Sequence, residues 1–147
     1  LGAMGFGMGS AIGACIGSGF QRTLLFTSDG SFHMNMNELA TAVSHNLPIV
    51  VIVLNNNALG MVRQWQTLFF EGRYSNTTPD RKTDYVRLAE AFGAKGFRAE
   101  TNETYHKCLT EAFACNCPAL IECVIDSNER VLPMIPAGGS INDIILR

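Results

Sequence analysis

The sequence predicts an α/β fold, a doubly wound parallel sheet with helices on both faces. Two unbroken apolar runs (Thr23–Thr27 and Ile49–Leu54), a helical pattern between them and a second strand–helix–strand round further on carry that prediction. Parallel strands need a crossover of a dozen or more residues, and the interval between the two runs supplies one helix of that length. With 147 residues, 47 % of them hydrophobic and 16 % charged, the chain can bury one real core, and one domain over residues 1–147 is expected.

The elements follow in order. Glycines at 5, 9, 13 and 17 recur every four residues, a helical face without side chains against which another backbone can pack closely. Thr23–Thr27 is a short buried strand, cut off by the turn cluster Ser28-Asp29-Gly30-Ser31. Asn35–His45 places Leu39, Ala42 and Val43 on one face, with Asn35 or Asn37 as cap and Glu38 in the first turn, so a helix is expected there. Pro48 restarts the chain into Ile49–Leu54, an apolar run typical of a strand covered on both faces. After the loop Asn55–Gly60, Met61–Phe70 reads as an amphipathic helix and Glu71–Lys82 as a surface crossing. A second round gives helix Tyr85–Phe92, strand Gly96–Ala99, helix Glu103–Cys115 and strand Ala119–Ile125. Val131–Arg147, with two prolines and Gly138-Gly139, closes as a loop with a short helix.

Several function classes are disfavoured. A net charge of −2 with scattered Lys and Arg leaves no basic stripe for nucleic acid. No charge precedes Arg22, but the glycines there leave too little apolar bulk for a membrane span or signal segment. Gly5-x-Gly7-x-Gly9 is not the dinucleotide fingerprint, and no strand precedes it. Five cysteines without C-x-x-C or a partnered His suggest neither a disulfide framework nor zinc, and fit a reducing cytoplasm; Cys115 and Cys117 read as thiols near a loop. His33, His45 and His106 lack partners at useful spacing and read as surface or loop residues.

The chemistry lies at two strand ends. In open parallel sheets ligands bind beyond the carboxyl ends of strands, and here one such loop carries Asp29 and the next Asn55 and Asn56. A carboxylate, an amide oxygen and main-chain carbonyls are hard donors that suit magnesium, which usually completes its shell with phosphate oxygens and water. The N–H groups of Gly30 and Ser31 could hold such a phosphate. Asp-Gly-Ser alone is a common turn and Asn-Asn alone common loop chemistry; one β-α-β interval between them makes the pair specific.

Ser28-Asp29-Gly30-Ser31 followed by Asn55-Asn56 resembles the Gly-Asp-Gly…Asn-Asn motif of thiamine-diphosphate-dependent enzymes. Phe32–Leu39 with its Met-Asn-x-x-Glu-Leu spacing, Leu59-Gly60-Met61-Val62, Gln64-Trp65-Gln66 and Arg73-Tyr74-Ser75 resemble the acetolactate (acetohydroxyacid) synthase large subunit in particular, over essentially the whole chain. The resemblance implies a C-terminal cofactor domain in which Asp29, the Asn56 side chain and the Ala58 carbonyl bind Mg2+. Gly30, Ser31 and Gly60 would approach the diphosphate through backbone amides. Met4 matches the apolar residue that bends the cofactor, and Met61 and Trp65 match positions at the substrate pocket. From the residues alone, Met4 is equally well core filler, and Trp65, Phe69 and Phe70 a packing cluster. Ser28 replaces the motif's first glycine, and its Cβ would crowd the turn if φ were positive.

The resemblance further implies pyruvate and 2-ketobutyrate as substrates of the full enzyme, other large-subunit domains, a regulatory small subunit as possible partner, and a homo-oligomer. FAD is expected only with the flavin-binding middle domain. The glutamate that activates the cofactor has no match here and is expected in another domain, so no catalytic residue is assigned and the isolated chain is expected to be inactive. Two alternatives stay open: a subunit of a split 2-ketoacid decarboxylase, and a non-catalytic oligomerisation module.

Overall fold

A computed structural model describes residues 2–146; Leu1 and Arg147, the expected domain limits, lie outside the described residues. Strands form at the apolar runs: β1 (Thr23–Ser28), β2 (Ile49–Asn55), β3 (Lys95–Ala99) and β4 (Ala119–Val124). The helices are α1 (Gly7–Gly17), α2 (Asp29–Asn35), α3 (Leu39–Ser44), α4 (Gly60–Phe69), α5 (Tyr85–Phe92) and α6 (Asn102–Ala114). The strands pair in parallel in the order β1-β2-β4-β3, with Ser28 opposite Leu54 and Leu54 opposite Cys123.

Alternation along β2 separates two cores. Ile49, Val51 and Val53 join Met8 and Cys15 of α1, Phe32 of α2, Leu39 and Ala42 of α3, and Tyr85 and Ala89 of α5. Val50 and Ile52 point the other way, onto Ile121, Cys108 and Ala112 of β4 and α6. Both faces of the central strands are therefore covered, which is why they read as unbroken apolar runs rather than alternating ones. The doubly wound α/β architecture is the one expected.

Local departures have physical causes. The helix expected over Asn35–His45 is replaced by α2, a 3-10 turn at Met36–Glu38 and α3. Ser28 is extended at φ −92° and its hydroxyl accepts the Ser31 N–H at 3.2 Å, so it caps a helix that begins at Asp29 and not at Asn35. That negative φ also removes the expected crowding at Ser28. Among the described residues nothing packs on the glycine face of α1: none lies within 4 Å of where a Cβ on Gly9, Gly13 or Gly17 would stand. Close approach occurs instead at Gly7, against Leu25, and at Gly5, against Met34.

The crossing after α4 is not merely surface. Thr77 is buried, and its carbonyl accepts the Leu59 N–H at 2.8 Å, tying the crossing to the loop after β2. Cys115 and Cys117, expected as separate thiols, are bonded to each other, whereas Cys15, Cys108 and Cys123 are free and buried. At the C-terminal end a 3-10 turn (Ile141–Asp143) and an antiparallel bridge between Met134 and Ile145 close the chain. No helix among the described residues is long and apolar enough to cross a membrane.

Candidate functional site

The parallel register sets Asp29, directly after Ser28, beside the loop that follows Leu54 on the neighbouring strand. Asp29 is the first residue of α2 and only 1 % exposed. Its Oδ2 accepts from Arg81 Nη1 at 2.8 Å; its Oδ1 is buried without a hydrogen-bond partner. Burial pushes the carboxyl above its ordinary value; the nearby Gly30 N–H and the Arg81 charge oppose that, though the N–H makes no well-formed hydrogen bond to Oδ1. An ionisable oxygen left unpaired in a dry place is costly unless something binds it.

On the neighbouring loop the two asparagines divide their work. Asn55 is buried, donates through Nδ2 to Glu122 Oε1 at 2.8 Å and accepts the Asn57 N–H at 3.1 Å. Asn56 accepts the Ala58 N–H at 3.1 Å through Oδ1, which keeps a second lone pair for another donor or a cation. Asn57 adopts φ 52°, a left-handed turn that asparagine tolerates and that reverses the chain toward α4.

These loops border a cavity of about 340 Å³ lined by Met4, Gly30, Asn56, Ala58, Gly60 and Met61 among others. Six of the residues singled out from the sequence thus share one wall. Gly30 forms its floor: a Cβ there would stand 3.2 Å from Leu59 Cδ2 and 3.3 Å from Met4 Cε. A Cβ on Gly60 would stand 2.9 Å from Asn56 Nδ2, so only glycine leaves the asparagine its place. The orphaned Asp29 oxygen and this glycine-floored cradle fit a cation bridged to a phosphate-bearing ligand. Among the described residues no group of three or more His, Cys, Asp or Glu side chains is placed to hold a metal.

Not every expected residue joins the cavity wall: Asp29 itself is not one of its lining residues, although the adjacent Gly30 is. Ser31 lies on the far side of the capping turn: its N–H is taken by Ser28 and its hydroxyl accepts from the Gly5 N–H at 3.0 Å. Trp65 lines a neighbouring apolar hollow with Met61, Val62, Gln66 and Phe70, and packs edge-to-face on Phe69 at 5.4 Å. Met61 and Val62 border both spaces. His33 is neither surface nor loop: it is a half-buried α2 residue, its Nε2 2.7 Å from Thr83 Oγ1 and its ring edge-on to Tyr85.

Three contributors were not identified from the sequence. Arg81 reaches Asp29 across 52 positions, and Glu122 reaches Asn55 across 67. Gln64, noted only as part of a motif, is buried and pins the C-terminal segment: it accepts from Val131 N–H at 2.8 Å and donates to the Val131 carbonyl at 3.1 Å. Val131 thereby becomes part of the cavity wall. A lone polar residue on an otherwise apolar strand (Glu122) and on a helix face (Gln64) was the available signal.

Comparison with known proteins agrees with the fold. Residues 1–123 match the family described as thiamine pyrophosphate enzyme, C-terminal TPP binding domain. A probable acetolactate synthase large subunit of Methanocaldococcus jannaschii is 40 % identical over 145 residues, covering 99 % of this chain and 24 % of that protein. The acetolactate synthase large subunit of Haemophilus influenzae is 39 % identical over 146 residues, 99 % of this chain and 26 % of that one. Among solved structures, the thiamine diphosphate-dependent 4-hydroxybenzoylformate decarboxylase of Rhodococcus jostii RHA1 superposes with a TM-score of 0.76 at 29 % identity, over 86 % of this chain and 24 % of that one. The chain spans about a quarter of the length of the curated relatives it matches. With the parallel α/β sheet and the match over residues 1–123 in agreement, the chain belongs to the C-terminal thiamine-pyrophosphate-binding domain family of the thiamine pyrophosphate enzymes.

Proposed function

We propose that this chain is the cofactor-binding domain of an acetolactate synthase, holding thiamine diphosphate through Mg2+ bound by the Asp29 carboxylate, the Asn56 side-chain oxygen and the Ala58 carbonyl. The observation that carries the reading is the buried, half-satisfied carboxylate of Asp29 beside the Asn55–Gly60 loop, next in sequence to Gly30, which lines one cavity with Asn56, Gly60 and Met4. When bound, the cofactor supplies the nucleophilic carbon that decarboxylates pyruvate and joins the remainder to a second 2-ketoacid, 2-ketobutyrate among them. The chain's own part is positional. Gly30 and Gly60 let the diphosphate approach the backbone, Met4 supports the cofactor's bend, and Met61 and Trp65 border the acceptor side. A catalytic glutamate, the flavin with its middle domain and any regulatory subunit belong to the whole enzyme.

The names of the relatives above favour a synthase over a split 2-ketoacid decarboxylase, and a buried carboxylate with one oxygen left without a partner is needless in a purely structural module. Calorimetry of thiamine diphosphate with Mg2+ is the direct test. Asp29→Ala is expected to abolish Mg2+-dependent binding, and unchanged affinity would remove Asp29 from the site. Complementation with the remaining domains should yield acetolactate; aldehyde alone would point to the decarboxylase. Without them, the chain should form no acetolactate above background.

A further inference from the structure

Asp29 already has a cationic partner inside the protein. Arg81 Nη1 sits 2.8 Å from Asp29 Oδ2, in a pair whose side chains are 21 % and 1 % exposed. The guanidinium continues toward Gly30: its Nη2 lies 3.6 Å from where a Cβ on Gly30 would stand, with Met4 and Leu59 atoms 3.3 and 3.2 Å from the same point. Both of those residues line the cavity. Arg81 comes from an irregular segment between Thr77 and α5, where its own N–H donates to the Pro79 carbonyl at 2.9 Å. Its long stem can therefore swing toward solvent without breaking a helix or strand.

A divalent ion on a carboxylate oxygen sits about 2.1 Å from it. A guanidinium hydrogen-bonded to the same carboxylate would then lie within roughly 5 Å of the ion, where like charges repel strongly in a partly desolvated setting. We infer that Arg81 and the divalent cation compete for Asp29, so that Arg81 is a built-in counter-ion that must release the carboxylate before the metal can take it. This rests on the reading of Asp29 as a metal ligand. Arg81 then has two effects: it neutralises the buried carboxylate in the absence of metal, and it weakens the intrinsic metal affinity so that the diphosphate must contribute to binding. A charge-assisted pair of this kind is worth a factor of about ten or more in the competing equilibrium.

The test uses Mn2+ alone as probe, titrated into the protein and followed by electron paramagnetic resonance and calorimetry. Arg81→Gln is expected to tighten Mn2+ binding by about tenfold, with Arg81→Lys close to wild type because it restores a positive charge. A purely structural role for Arg81 would weaken binding instead. In the unmodified protein, the ¹⁵N–¹H signals of the Arg81 guanidinium should shift on addition of Mg2+, a readout independent of how the variants fold. Equal or weaker Mn2+ affinity in Arg81→Gln, or unmoved guanidinium signals at saturating Mg2+, overturns the competition while leaving the metal site standing. If Asp29→Asn binds Mn2+ as tightly as wild type, the metal reading itself fails, and the competition with it.

Discussion

A missing side chain decides how closely α5 lies on the sheet. At Gly96 of β3 a Cβ would come within 2.5 Å of the Val86 carbonyl oxygen and 2.9 Å of its Cα, both backbone atoms that no rotamer change can move. Gly96→Ala should therefore destabilise the fold by about 3 kcal/mol, read as a lowered urea midpoint at unchanged slope. Gly60→Ala meets only the end of the Asn56 side chain, so its expected signature is the reverse: near-native stability with weakened cofactor binding. His33 adds a pH dependence. Burial, then the Arg81 charge, lowers its pKa below 6.5, outweighing the opposing charge of Asp29; its other close neighbours are Thr83 and the Tyr85 phenol, itself pushed up to about 12 by burial. A depressed folded value means the unfolded chain binds the proton more readily, so the contribution is complete above pH 6.5 and is lost as pH falls from there through the folded value. His33→Gln should flatten that loss, and equal melting-temperature differences between the two proteins at pH 8 and pH 5.5 would refute the assignment.

At the scale of elements, a polar chain that runs from the interior to the surface braces the loop after β2 from behind. Glu122 of β4 accepts from Asn55 Nδ2 through Oε1 and from Arg98 Nε of β3 through Oε2, each at 2.8 Å. Arg98 also reaches Asp84 at 3.1 Å, the residue that caps α5 by accepting from the Val86 and Arg87 N–H groups. The Glu122 bond in turn holds Arg98 firmly charged. Glu122→Ala leaves Asn55 unpaired in the interior and should cost about 2 kcal/mol, with a larger proportional loss in metal-dependent cofactor binding than in stability. Glu122→Gln should recover most of the stability, and cofactor affinity unchanged in Glu122→Ala would exclude this bracing role. Such links set the limit of what the sequence discloses. The strands lie within one residue of the apolar runs because hydrophobic patterning is local, and α5 falls at Tyr85–Phe92 as read, between Asp84 and Gly93. That Asp29 and Asn56 follow the ends of adjacent strands was equally legible, since their residue types and the β-α-β interval suffice. The start of α2 was not, because Ser28-Asp29-Gly30-Ser31 spells a turn and a capped helix start equally well. Arg81, Glu122 and Gln64 were not, because their partners are brought near only by the crossovers.

Over the whole molecule, the sheet is covered unevenly. On the face that α6 covers at β4 and β3, the helix does not extend over β1, where Leu24 and Phe26 remain 42 % and 63 % exposed, with Leu54 beside them at 39 %. Register places these three on the same side as Val50 and Ile52, so they extend a core surface into solvent rather than standing singly. β1 is also an edge of the four-stranded sheet, presenting one row of backbone groups without a strand partner. An apolar strip beside an open edge is a surface that a second copy can bury, and hydrophobic association should prevail over a net charge of only −2. The chain by itself is therefore expected to sediment as a dimer or larger species at micromolar concentration, and raising salt should strengthen that association, whereas an ion-paired interface would weaken. The paired substitution Leu24→Glu with Phe26→Lys places charge on the strip without touching the Asp29 or Asn56 loops, so it should shift the protein toward monomer and leave Mn2+ binding as it was. A monomeric wild type, or a double variant that associates as strongly, would show that β1 is not the surface that draws copies together.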